Sequence, residues 1–101
     1  VFNLRPGVRA CGIAWYRRQD YRRTLEVMED REKLPLTFDK WQSRAEHAER
    51  QLRAEGQLPI RVPIDPEEFV AWCAARGLNV DAEGRMAFVN DAVYRKVGKT
   101  Q

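Results

Sequence analysis

Arg17, Arg18, Arg22 and Arg23 fall within seven residues, flanked by Tyr16 and Tyr21. Guanidinium groups pair with phosphate oxygens through two parallel hydrogen bonds, and aromatic rings stack on bases. This cluster is therefore the chain's candidate site for an anionic ligand or a nucleic acid. Opposing charges lie close by, at Asp20, Glu26, Glu29 and Asp30, and the net charge of +3 over 101 residues is low for a dedicated nucleic-acid binder. The same arginines also read as one solvated helix face.

Other reactive residue types are sparse. Asp65, Glu67 and Glu68 could act as acids, but capping and the helix dipole account for carboxylates at the start of a helix. His47 is the only histidine and projects away from the apolar stripe of its segment; a lone imidazole without an orienting partner is not a catalytic constellation. Ser43, the only serine, falls in mid-helix. Cys11 and Cys73 have neither a CxxC spacing nor a histidine cluster, so they read as buried free thiols, and no metal or cofactor is implied. Trp15, Trp41 and Trp72 each fall in or beside an apolar pattern. Trp72 is one step off the line of Phe69 and Cys73, which makes it the candidate interface residue.

The elements that must position these groups follow from periodicity. Cys11 to Arg17 is a short apolar, aromatic run that reads as a strand, with Ile13 and Trp15 on one face. Asp20 is the expected cap of a first helix carrying Tyr21, Leu25 and Met28 and ending before Pro35. Thr37 is the expected cap of a second, whose stripe is Phe38, Trp41, Ala45, Ala48 and Leu52, with Glu46–Arg50 and Glu49–Arg53 pairs outside and Gly56 at its end.

Leu58, Ile60, Val62 and Ile64 alternate with Pro59, Arg61 and Pro63, which describes a strand with one buried face. The prolines lack the donors of a central strand and place it at a sheet edge. Asp65 as N-cap, Pro66 at the first helical position, Ile64 stapled on Phe69, and Gly77 then Leu78 as a Schellman ending define a third helix. A fourth starts at Asp81 with Met86, Val89, Val93 and Val97 as its apolar positions; Gly84 weakens its first turn by roughly 1 kcal/mol.

The fold class is thus α/β and mainly helical, β-α-α-β-α-α, with a small two-stranded parallel sheet. Residues 1–10 are an N-terminal extension, 11–97 a single domain and 98–101 a tail. Two strands make a marginal sheet, so either the helices carry nearly all the core or a second copy of the chain is the partner that extends the sheet as a homodimer. Parallel pairing would bring Tyr16, Arg17, Arg18, Asp65 and Glu68 to one rim, at the carboxyl ends of the strands where ligands of such sheets bind. With 44% hydrophobic and 33% charged residues the chain has the composition of a folded domain. No apolar run approaches membrane-spanning length, and the first ten residues do not read as a secretory signal, so the expected compartment is the cytoplasm.

The blocks IAWYRR at Ile13–Arg18, LPLTFDKW at Leu34–Trp41 and FVAWCAARGLNVD at Phe69–Asp81 resemble a family of short bacterial proteins, over about residues 11 to 96. No function is established for that family, so the resemblance implies no activity and no site residue. On chemistry alone, a non-catalytic binding or protein-interaction module ranks first. A binder of nucleic acid or a phosphate ligand through the Arg17–Arg23 cluster is second. A small enzyme ranks last, because nucleophile, base and metal do not converge.

Overall fold

The computed structural model describes residues 2–5 and 8–98, with the side chains of residues 9–96. In chain order the elements are β1 (Phe2–Arg5), β2 (Val8–Trp15), α1 (Tyr21–Val27), α2 (Phe38–Ala54), β3 (Gln57–Pro63), α3 (Pro66–Arg76) and α4 (Ala82–Gly98). Short 3₁₀ turns at Arg18–Asp20 and Arg31–Lys33 flank α1. The molecule is mainly helical, and β2 and β3 pair in parallel, with Ala10 opposite Leu58, Gly12 opposite Ile60 and Ala14 opposite Val62.

The sheet has one strand more than expected. Its order is β1-β2-β3, and β1 pairs antiparallel with β2, matching Phe2 to Ala10 and Asn3 to Arg9. Part of the segment read as an extension is thereby built into the sheet, and β2 begins at Val8 rather than Cys11. Along Val8 to Ala10 the neighbour expected from a second copy is supplied by the chain itself.

Helices cover both faces of the sheet. On one, Trp15 packs edge-on to Trp41 of α2, with ring centroids 5.0 Å apart, and Arg61 of β3 donates to Glu49 of α2. On the other, Gly12 lies so close to α4 that a Cβ there would collide with Val89 and Val93. The alternation expected in β3 is accordingly only partial: Val62 and Ile64 are buried, but so is Pro59, while Leu58 at the strand's start is exposed.

The edge assignment holds. The amide of Ile64 donates to Trp15 O at 3.0 Å, so the even-numbered amides of β3 face β2 and positions 59, 61 and 63 face outward. Two of those three are prolines, leaving the Arg61 amide as the one outward donor of this stretch.

α3 is built as its sequence dictates. Asp65 accepts from the Glu68 amide at 2.9 Å, and Gly77 adopts φ 68°. The Leu78 amide then reaches Cys73 O and that of Gly77 reaches Ala74 O, the two bonds of a Schellman ending. Thr37 caps α2 through the Lys40 amide, and Asp81 caps α4 through the Gly84 amide.

α1 departs from expectation at both ends. Asp20 makes no capping bond because its carboxylate is taken by Arg17, and the helix stops at Val27, well short of Pro35. The chain leaves α1 to pair with the segment before α4: Glu29 N donates to Val80 O at 2.8 Å, and Val80 N donates to Glu29 Oε2 at 2.9 Å. Arg31 turns back to satisfy the carbonyls of Leu25 and Glu26. On α4, Val89 and Val93 are buried as expected and Phe88 joins them, packing on Phe69 and Trp72 of α3. Met86, expected in the stripe, is 66% exposed.

Candidate functional site

The carboxyl ends of β2 and β3 carry the rim that parallel pairing implied, and the chain's own groups cover it. Tyr16, the first residue past β2, is buried at 2% exposure beneath Tyr21 and Trp41. Burial pushes its phenol up to about 12, partly offset by the nearby Arg85 guanidinium. A ring held this way is a core residue, which sets it apart from the ligand-binding role expected of it.

The arginines of the cluster remain at the surface, most of them engaged in ion pairs. Arg17 pairs with Asp20 at 2.6 Å. Arg18 pairs with Asp39 at 2.6 Å and lies over the Phe38 ring, 4.6 Å from its centroid. Arg23 grips Glu67 of α3 with both arms of its fork, at 2.7 and 3.1 Å, tying α1 to α3 and holding the Glu67 carboxyl below its ordinary range. Arg22 alone of the four is exposed with no ion-pair partner among the described residues, and it borders an open depression with Leu25, Glu26 and Arg31. Asp65 serves as the α3 cap and Glu68 is exposed in the first turn of that helix, so the rim residues are neighbours without converging on a shared cavity.

Two polar constellations escape a sequence reading. Arg85 of α4 donates to both carboxylate oxygens of Asp30 at 2.9 Å, and Nη1 also lies 3.2 Å from the Met28 sulfur. The pair is nearly buried, with side chains 13% and 10% exposed, and its hydrogen bonds hold Asp30 below the usual carboxylate range. On the opposite face, Glu49 is buried on α2 and bound by both arms of Arg61, whose guanidinium stacks 3.8 Å from the Trp15 ring centre. This corrects the expected Glu49–Arg53 surface pair. Asp30 and Arg85 are 55 positions apart and Glu49 and Arg61 are 12 apart. No local spacing rule links such pairs; the aromatic stack on Arg61 and the α4 register that buries Arg85 come only from tertiary packing.

The remaining candidates fall as follows. Cys73 is buried and burial raises its thiol; Cys11 is partly buried, and both cysteines are free. His47 is exposed on α2, as expected. Trp72 is half-buried, edge-on to Phe88 and covered by the Arg76 guanidinium at 4.1 Å, and its Nε1 is buried without a hydrogen-bond partner among the described residues. Among the described residues, no cluster of three or more His, Cys, Asp or Glu side chains is arranged to hold a metal ion, and no helix is long and apolar enough to cross a membrane.

The surface that stands apart is on α4. Ala82, Met86, Asn90 and Tyr94 follow one another at intervals of four along its exposed side, and none is charged. Beside them runs a shallow groove of about 210 Å³, floored by Gly12 and Ala14 of β2 and walled by Arg85, Met86, Val89 and Asn90. Gly12 lets α4 settle onto the sheet, and with Ala14 it leaves the space of the groove beside the helix. No protein-family model, no curated protein and no solved structure matches this chain, so what it does must be argued from this geometry.

Proposed function

We propose that the chain is a non-catalytic protein-interaction module of the bacterial cytoplasm, and that its contact surface is the outer ridge of α4 with the adjoining groove. One observation carries this reading. In a chain that is one-third charged, the exposed ridge Ala82–Met86–Asn90–Tyr94 has no charge and presents Met86 at 66% exposure. Covering such a side chain is worth roughly 1.5–3 kcal/mol, a gain that the isolated chain leaves unrealised. The unpaired thiols support a reducing compartment, and the bacterial origin rests on the resemblance of the blocks at 13–18, 34–41 and 69–81 to short bacterial proteins.

The second reading, a nucleic acid or phosphate ligand on the Arg17–Arg23 cluster, is favoured only by Arg22, since acidic neighbours neutralise the other three. Affinity capture separates the two. A stoichiometric partner retained by the wild-type chain and by Arg22→Ala, but lost with Met86→Arg, is the expected result; capture indifferent to Met86→Arg overturns the assignment. Binding of labelled RNA that weakens steeply with salt, and disappears when Arg18, Arg22 and Arg23 are all changed to Ala, would install the second reading instead.

A further inference from the structure

We infer that the occupant of the α4 ridge is a second copy of this chain, docked with its own α4 antiparallel about a twofold axis beside Asn90. The inference rests on the ridge being the contact surface and adds the identity of what covers it. A twofold interface must be self-complementary, since each residue meets the image of another on the same surface.

α4 meets that condition in two ways. Its first turn is acidic, with Glu83, and its last turn is basic, with Lys96 and with Arg95, which is held by Asp91 one turn back. An antiparallel pair sets each Glu83 within one residue's rise of the other copy's Lys96 and also opposes the two helix dipoles favourably. Along the ridge, Met86 and Tyr94 lie four positions to either side of Asn90 and are 66% and 65% exposed. With a rise of about 1.5 Å per residue, each is about 6 Å from the axis, so Met86 of one copy comes level with Tyr94 of the other and a thioether meets an aromatic ring. Asn90 then meets its own image, and two carboxamides can exchange hydrogen bonds. The prolines at the outer edge of β3 and the presence of β1 beside β2 direct association toward this helix rather than toward a shared sheet.

Such a helix-on-helix contact buries on the order of 500 Å² per copy, the size of a weak and transient interface, so the dimer is to be sought at high protein concentration. Light scattering coupled to size-exclusion chromatography should give a dimer for the wild type and a monomer for Met86→Arg, with unchanged circular dichroism. Geometry is tested by oxidative cross-linking: Asn90→Cys should yield a covalent dimer, whereas Glu83→Cys should not, because its two copies would lie about 20 Å apart along the axis. The wild type, which has Cys11 and Cys73, supplies the background. Reversing charge at Glu83→Lys should weaken the dimer severalfold, and adding Lys96→Glu in the same chain should restore it. A chain monomeric at high micromolar concentration, or a dimer that Asn90→Cys does not trap, overturns the inference. If a different captured protein still depends on Met86, the ridge survives as the contact surface and only its occupant changes.

Discussion

The buried pair of Asp30 and Arg85 is the most consequential polar contact in the molecule, because each partner keeps the other's charge tolerable at about one-tenth exposure. Asp30→Asn leaves a guanidinium in place without its counter-charge, and such a loss costs about 3–5 kcal/mol, a large share of the stability of a small domain. Urea denaturation should show the midpoint falling sharply. The acid limb should change as well. Since the folded-state carboxyl lies below its unfolded value, its contribution is present above the unfolded pKa and lost as pH falls through the folded one, and the variant should lack that part of the acid transition. Tyr16 works in the opposite direction. Its phenol is raised from 10.0 to about 12, so folding holds the neutral ring. Stability is intact below pH 10 and declines between the two values by about 2–3 kcal/mol, and Tyr16→Phe should flatten the decline in pH-dependent thermal melts.

At the level of elements, what could be read in advance was whatever local chemistry alone decides. The start and stop of α3 need only Asp65, Pro66, Gly77 and Leu78, and they formed as read. The cap of α2 at Thr37 and that of α4 at Asp81 are of the same kind. The end of α1 is different, since it is set by bonds between Glu29 and Val80, 51 positions apart, that no window of sequence contains. β2 carries a local signal of its own. Its run of Ala10 to Trp15 is apolar without alternation, as a strand covered on both faces should be, whereas a one-faced sheet would alternate.

The two-sided packing makes Gly12 a test of the layer arrangement. Gly12→Ala puts a methyl into Val89 and Val93 and should cost about 1–3 kcal/mol, while Gly56→Ala, at φ 81° with open space around it, should be destabilising only through its backbone. If Gly12→Ala leaves the melting temperature unchanged, α4 does not lie where the sheet's second face requires it. For the candidate site, the arginine cluster was legible as a cluster but not as a set of ion pairs. Arg18 and Arg23 find their carboxylates 21 and 44 positions away.

At the scale of the whole molecule, the question is how a three-stranded sheet avoids continuing into a neighbour. β3 manages its outer edge by composition, with Pro59 and Pro63 facing outward and a single amide between them. β2 has no such device: Val8 to Trp15 contains no proline, and on its edge away from β3 the strand β1 pairs with Val8, Arg9 and Ala10. β1 is short, and its pairing is irregular between Asn3 and Arg5, so it guards the first part of that edge. Removing residues 1–7 should therefore do more than trim a tail. The shortened chain should keep most of its helical circular dichroism, because α1 to α4 are untouched, yet associate through the bared start of β2, Val8 to Ala10, into species larger than a dimer. That association should resist Met86→Arg, which acts on α4, and should be suppressed by placing proline at an outward-facing β2 position. A shortened chain as soluble and as discrete in mass as the full one would show that β1 guards nothing.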